Sequence, residues 1–424
     1  MKKVLVVSYY FPPNTGAPAW RPFSWANNFY KKGINTTVIT RHWTGNENKW
    51  EDFVRPNTKS LTEVKHDNYR VYSLPSKRNK WSEYFSGKAI IPRTFGKFYF
   101  LFLALYGKLN TEIDGTLAFK DFIIEHLKQN TYDVAIITVP PFNMLQMVDL
   151  FHVRNIKVIV DIRDLWNNMM LQNNYQPSLQ QQLWDKVYSV HFKRWMKNAS
   201  RVSVITPSFR DILVKSFHGP IDIVYNGYEG DLFNQIEKVK TSKFIFSVVG
   251  SIYPEQDMSV MIDGLKLFLK DKSHDKVQLR FIGLNIIPEI SQHVMKELPS
   301  DFLFVSDRVT KEEAIHETKM ATVLAYPGWL GTKGIISTKI FDYIASGNPI
   351  IIAPGDKDII DDLLVKTNTG ESVFFAQPFA DVLNRWYSSW DKNEEILIDR
   401  NLKAIQYYSR ENQAMALANI INDL

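Results

Sequence analysis

The chain has 424 residues, of which 45% are apolar and 23% charged, the composition of a globular protein long enough for two or three domains of ~150 residues. It contains no cysteine, which excludes disulfides, thiolate-zinc sites, iron-sulfur clusters and a cysteine nucleophile and fits a reducing compartment. The net charge of +6 hides a division: residues 1–217 hold 30 lysines and arginines against 16 acids, residues 218–424 hold 21 against 29, and opposite signs point to two domains with different partners.

The opening MKKVLVVSYYFPP places two lysines before an apolar run, as a signal peptide does. The run stops at Pro12 and Pro13 without a small-residue cleavage site, so a buried strand over residues 3–9 is expected instead. In the turn that follows, YYFPPNTGAPAWRP, the prolines end the strand and Gly16 permits a sharp bend. A helix starting near Pro18 then offers unpaired amides to an anion; a plain strand-to-helix turn explains the same residues. A helix over 21–32 and a strand over 35–40 come next. Residues 77–108 carry seven cations against one acid, interleaved with nine aromatics. Two readings are open. The segment lies on an anionic membrane surface, or Phe95, Phe98, Phe102 and Tyr106, at helical spacing, pack inward. No RNA- or DNA-binding module accompanies it, so no nucleic-acid partner is expected. The longest apolar run, residues 98–106, spans nine residues, against ~20 for a membrane-crossing helix.

A helix over 115–129 and strands over 133–138, 157–161 and 201–206 continue an alternation typical of parallel sheets covered by helices. VIVDIRDLW puts Arg163 and Asp164 at the carboxyl end of a buried strand, where ligands bind in such sheets; the alternative is an Arg163–Asp164 pair that merely closes the strand. Residues 222–226, Gly227 and the polar stretch to 242 read as a hinge. A second series then begins, with strands over 243–250, 277–283, 302–306, 322–326 and 349–353, a helix over 258–270, and a helical pattern over 393–424. The expected fold is α/β: two doubly wound parallel-sheet domains, residues 1–235 and 236–404, with the last helix, about 405–424, crossing back onto the first. The nine histidines show no metal-ligand spacing, and neither GxxxxGK[ST] nor GxGxxG occurs, so metalloenzymes, P-loop ATPases and ordinary NAD enzymes are not expected.

The most informative stretch is WLGTKGIISTKIFDYIASGNPIII, residues 329–352. A Gly-rich loop containing Lys333 leads into a helix opening near Ser337, with Lys339 in its first turn and Asp342 one turn on. A helix N-terminus with two lysines suits a diphosphate, and the carboxylate suits ribose hydroxyls. The alternative is a helix capped by Ser337 with Lys339 in solvent. Asp356 and Asp358 form a DxD, but they follow a Pro-Gly turn and open a helix, where capping explains them.

In order along the chain, FPPNTG, VIVDIRDLW, IVYNGYEGDLF, SVVGSIYPEQD, VQLRFIG and STKIFDYIASGNPI resemble motifs of the retaining GT-B glycosyltransferases, the large bacterial family of mannosyl- and N-acetylaminosugar transferases of surface polysaccharide synthesis. The resemblance implies two Rossmann-like domains facing a central cleft. The second would hold a UDP- or GDP-sugar and the first a glycan or lipid-linked acceptor, with neither metal nor cofactor. By position, Gly16 would approach the donor, Gly250 and Ser251 would flank the diphosphate, and Arg308 and Val309 would lie near the base. Lys333, Thr338 and Lys339 would meet phosphate, Asp342 the ribose, and Gly334 stands where the family carries an acid beside the donor sugar. Arg163, Asp164 and Lys339 are the catalytic candidates. Such enzymes work at the cytoplasmic face of the membrane, which agrees with peripheral attachment through residues 77–108. The chain departs from the pattern in three places. Gly334 replaces that acid, Glu255 and Gln256 stand where an Arg and a Lys usually clamp the diphosphate, and Arg163 replaces a histidine. An epimerase of the same architecture is one rival reading, though the cleft motifs lack the histidine it needs. A nucleotide-sugar-binding pseudoenzyme is the other.

Overall fold

A computed structural model describes residues 1–45, 47, 57, 59–78, 98, 101–102, 104–105, 113–166, 171, 176–238, 241–329, 331–396 and 399–424. The chain forms two compact units. One comprises Met1–Met170, Tyr175–Tyr225 and Gln413–Leu424; the other comprises Leu171–Asn174 and Asn226–Asn412. The chain therefore passes between units after Met170, Asn174, Tyr225 and Asn412; the sequence suggested 235 and about 404.

Unit one is built on β1 (Lys2–Val7), β2 (Ile34–Arg41), β3 (Thr62–Lys65), β4 (Tyr69–Leu74), a short ribbon of β5 (Lys77–Arg78) with β6 (Ile113–Asp114), then β7 (Val134–Val139), β8 (Lys157–Ile162), β9 (Arg201–Val204) and β10 (Ile221–Ile223). Its eight-stranded sheet runs β10-β9-β8-β7-β1-β2-β4-β3, parallel except for the β3–β4 pair. Winding outward from β1 and then restarting at β7 creates a switch point between those two strands. Every residue of β7 is buried, as are Val4–Val7 and residues 158–162. Strands covered on both faces require such unbroken apolar, β-branched runs, and each buried Val or Ile contributes about 1.5–3 kcal/mol.

The departures from expectation have local causes. The helix expected to start near Pro18 and the one expected over 21–32 are a single helix, Ala17–Asn28, opened by Gly16 and the proline in its first turn; a short 3-10 turn, Phe29–Lys32, ends at Gly33 with φ +68°. The terminal helical pattern is interrupted. Asn393 and Asp399 take left-handed backbone, and helices Leu402–Tyr407 and Arg410–Asn422 follow. Ala414, Leu417, Ala418 and Ile421 of the last helix are fully buried in unit one's core beside Val4, Val6, Trp25 and Phe29. Strand β10 overlaps the start of the stretch read as hinge.

Unit two carries β11 (Phe244–Val249), β12 (Val277–Ile282), β13 (Leu303–Val305), β14 (Val323–Pro327), β15 (Ile350–Ala353) and β16 (Gly370–Ser372) in the order β13-β12-β11-β14-β15-β16. All pairs are parallel, the strand order of a dinucleotide-binding sheet with its switch point between β11 and β14. Phe246, Phe281, Met261, Leu265, Phe379 and Leu383 pack its core.

Most of residues 77–108 lie outside the described residues, so both readings of that segment do too; Phe98, Phe102 and Leu105 are exposed. Among the described residues, no helix is long and apolar enough to cross a membrane.

Candidate functional site

The carboxyl ends of β11 and β14 meet the helix Thr338–Ser346 at the switch point of unit two. Tyr343, buried on that helix, fixes the end of β11: its hydroxyl donates to the Val249 carbonyl (3.1 Å) and accepts from the Val249 amide (2.7 Å). The next residue, Gly250, turns the chain with φ +97°, a conformation that favours glycine. Ser251 follows, and its carbonyl accepts a 2.6 Å hydrogen bond from Lys339 Nζ. The Lys339 ammonium also lies 5.4 Å from the centroid of the buried Tyr326 ring. Burial pushes its pKa down to about 7, and among the described residues no carboxylate pairs with it. Ser337 stands at the N-cap without a side-chain cap hydrogen bond. The arrangement of a capping Ser337 with a solvated Lys339 is therefore not the one adopted.

The loop before this helix is tied down on both sides. Lys333, itself exposed, donates its amide to the Leu171 carbonyl at 3.2 Å. Gly334, at φ +74°, donates its amide to Asp358 Oδ2 at 2.7 Å. Asp356 accepts from the amides of Asp358, Ile360 and Asp361 at 2.9, 2.9 and 3.0 Å, so of the DxD pair Asp356 is spent on amides at the start of the helix Ile359–Thr367 and Asp358 on the Gly334 amide.

Gln256 explains its own departure from the family pattern. Its side chain is buried, accepts from the Tyr253 amide (3.0 Å) and donates to the Pro327 carbonyl (2.6 Å), while Asp257 N donates to Gly328 O (2.9 Å). The loops after β11 and β14 are thereby locked together, with Tyr253 stacked on Trp329 at 5.8 Å. A β-carbon on Gly328 would come within 1.9 Å of the Pro354 carbonyl oxygen.

Asp342 is engaged in an ion pair with Lys311, the first residue of the helix Lys311–Met320, whose Thr310–Glu313 capping box fixes its start. Burial raises the Glu229 carboxyl pKa, and the charges of Arg410, 2.9 Å away, and Lys311 oppose that rise. Two acids and two cations thus surround the position assigned to ribose. Arg308, exposed, and Val309, half-buried, precede this helix, and the Lys311 pair holds their loop beside Asp342. Thr338 is half-buried at the first helical position. Direct contact therefore joins Ser251 to Lys339. Lys311, Glu229, Tyr326 and Tyr343 are additions that the sequence does not single out; GYEGD, with its acid between two glycines, is the one available signal for Glu229.

In unit one, Gly16 is the N-cap of helix Ala17–Asn28 and donates its amide to Asn14 Oδ1 at 3.0 Å. Arg163 is buried, donates from Nη2 to the Pro140 carbonyl at 3.1 Å and stands over the Tyr10 ring at 5.7 Å. Burial raises the Asp164 carboxyl pKa, opposed by the charge of Arg163. Asp161, by contrast, is structural: Arg21 meets it at 2.7 Å, and Ser203 Oγ donates to it at 2.7 Å.

No protein-family model and no curated protein matches the sequence. Solved structures do. Sucrose-phosphate synthase from Thermosynechococcus elongatus matches with TM-score 0.64 and 13% identity, covering 100% of this chain and 99% of its own. A trehalose-6-phosphate structure from E. coli bound with UDP-2-fluoro glucose matches with TM-score 0.63 and 11% identity over 100% and 99%. Anabaena HepE in complex with UDP and glucose matches with TM-score 0.59 and 13% identity over 100% of both chains. At such identity the likeness is one of fold, and the chain carries the GT-B fold of these proteins.

Proposed function

We propose that the protein is a glycosyltransferase that moves a sugar from a nucleotide-diphosphate sugar onto a glycan or lipid-linked saccharide, with retention, in surface polysaccharide synthesis. The observation that carries this reading is Lys339: a half-buried lysine without a carboxylate partner among the described residues, at the N-terminus of a helix and at the switch point of a dinucleotide-type sheet. Burial there favours the neutral amine until an anion arrives, and a diphosphate supplies one. Two of the fold's relatives hold UDP or a UDP-sugar, which supports the same ligand class.

In this reading Lys339, Lys333, Thr338 and the amides around Ser251 receive the diphosphate. Asp342 exchanges Lys311 for ribose hydroxyls, and Arg308 and Val309 border the base. Gly334, without a side chain, leaves room for the donor sugar. The bond from the anomeric carbon to the phosphate oxygen breaks as the acceptor hydroxyl attacks from the same face, and the departing oxygen takes the hydroxyl proton. The protein's part is to stabilise charge on the leaving diphosphate and hold the reactants in register; its lysines supply that charge without a metal. Gly16 approaches the donor, and Arg163 and Asp164 belong to the acceptor side.

A thermal-shift panel of UDP- and GDP-sugars tests this. A donor at 100 times its Kd stabilises by about 2.7 kcal/mol, so one base and one sugar should stand out, and a flat panel overturns the reading. Attachment to the cytoplasmic face of the membrane is supported by the cations and aromatics of residues 77–108. Replacing Lys77, Arg78 and Lys80 with glutamine should lower sedimentation with anionic liposomes and spare donor affinity; unchanged sedimentation rejects it.

A further inference from the structure

The switch point of unit one presents a set of buried hydrogen-bond donors that the donor chemistry of unit two does not use. Asn14, Arg163 and Trp166 lie on the loops that leave β1 and β8, the strands on either side of β7. Asn14 is 1% exposed, and its Oδ1 is taken by the Gly16 amide. Its Nδ2 has no partner among the described residues. Arg163 is 5% exposed, and its Nε likewise has no partner. The indole Nε1 of Trp166 is a third buried donor without one. Buried N–H groups without acceptors cost about 1–3 kcal/mol each, and three of them on the loops after β1 and β8 suit a ligand rich in acceptors.

The surroundings specify that ligand further. The helix Ala17–Asn28 opens at Gly16 with no side-chain cap, so its first amides add positive potential beside Asn14. Arg163 keeps its guanidinium in place by the bond to Pro140 and the stack on Tyr10, leaving an edge that can grip two oxygens of one planar or tetrahedral anion. The half of the sequence containing this site holds nearly twice as many cations as acids, which favours capture of anions. Asn143 Oδ1 is the exception, a buried acceptor without a partner, and a ligand hydroxyl would satisfy it. Asp164, beside Arg163, could likewise accept from a hydroxyl rather than from a second anion. An oxyanion on a hydroxyl-bearing ring answers both kinds of group.

We infer that unit one binds an acidic saccharide, with Arg163 as the residue that selects a carboxylate or phosphate on the acceptor. Resting on the transferase reading, this narrows its acceptor from any glycan to one bearing an anionic group close to the reacting hydroxyl. It also gives a use to the arginine that replaces the family's histidine.

The test is binding to the full chain in the absence of donor, measured by isothermal titration or saturation-transfer NMR. The probes are methyl glucuronide, glucose 1-phosphate and methyl glucoside. The two anionic probes are expected to bind at least tenfold more tightly than the neutral one, and which of them is tighter tells carboxylate from phosphate. Arg163→Gln should erase the difference, while Arg163→Lys should keep part of it for the phosphate. Calorimetric unfolding of each variant separates lost binding from lost fold. Equal binding of the neutral glucoside, or no binding of either anionic probe at millimolar concentration, overturns the inference on the wild-type protein alone. So does an anion preference that survives in a folded Arg163→Gln. A wild type that prefers the anionic probes but ignores every nucleotide sugar would instead sink the transferase reading and leave the acidic-saccharide site standing.

Discussion

Lys339 is held where burial opposes its charge, and the consequence is a dependence on pH of definite sign. Its folded pKa is about 7, against about 10.4 for a lysine in water. Between those values the unfolded chain holds a proton that the folded chain lacks. This group therefore makes stability rise with pH from about 7 to about 10, and its full cost is felt below pH 7. A bound diphosphate favours the ammonium and reverses the balance. Affinity for a UDP- or GDP-sugar should accordingly fall as pH rises above 7, with a proton taken up on binding at pH 8, measurable by titration in two buffers of different ionisation enthalpy. Lys339→Met should remove the proton uptake and weaken binding at pH 6.5 by tenfold or more. A flat affinity from pH 6 to 9, matched by the variant, would contradict the role. Asp161 gives a contrasting case at the same scale. It is a carboxylate at a strand end that sequence reasoning groups with Arg163 and Asp164, yet its oxygens are consumed by Arg21 and Ser203, and Arg21 also donates to the carbonyls of Val224 and Tyr225. Asp161→Asn leaves a buried guanidinium without its counter-ion and should cost about 3–5 kcal/mol, read by denaturant unfolding. Lys339 could be found in the sequence because glycines, a serine and a lysine at a helix start make a pattern. Lys311 could not, since a lysine opening a helix looks the same whether it faces water or Asp342.

The lock between the loops after β11 and β14 belongs to the next scale. One side chain, Gln256, spans both loops through the Tyr253 amide and the Pro327 carbonyl, and that keeps the Ser251 carbonyl in reach of Lys339. Gln256→Leu, similar in volume, leaves the buried Pro327 carbonyl and the part-buried Tyr253 amide without these bonds and should destabilise by about 1–3 kcal/mol. It should also weaken donor binding without altering its dependence on pH, because Lys339 itself is untouched. Unchanged affinity at reduced stability would mean that the loops hold their places without the lock. Most strands legible in the sequence lie in or overlap largely buried runs of Val, Ile, Leu or Phe, as β1, β7, β8, β11, β14 and β15 do. β4, though mostly buried, was missed, and two others missed have the opposite character. The four residues of β3 are all exposed, and those of β10 are only half-buried, so neither leaves an apolar period to read. The sequence shows Gln256 only as a departure from a clamp position, since nothing in its neighbours reveals that a carbonyl 71 positions on completes its hydrogen bonds.

At the scale of the molecule, the last twelve residues, 413–424, complete a core that the first residues begin. Leu417, Ala414, Ala418 and Ile421 pack with Val4, Val6, Trp25 and Phe29, and Lys2 Nζ donates to the Ile421 carbonyl at 2.8 Å. Unit one therefore cannot finish its core until unit two has been made. Two units with separate cores are not bound to unfold in one step, and a nucleotide sugar bound to unit two stabilises only the transition that includes that unit. Leu417→Ala removes a fully buried side chain from unit one and should cost about 2–5 kcal/mol there. In scanning calorimetry the variant should lower the transition that nucleotide sugar leaves in place and leave untouched the one that nucleotide sugar raises. If instead the two shift together, the units unfold as one body, and the C-terminal helix would govern the stability of the nucleotide site as directly as that of its own core.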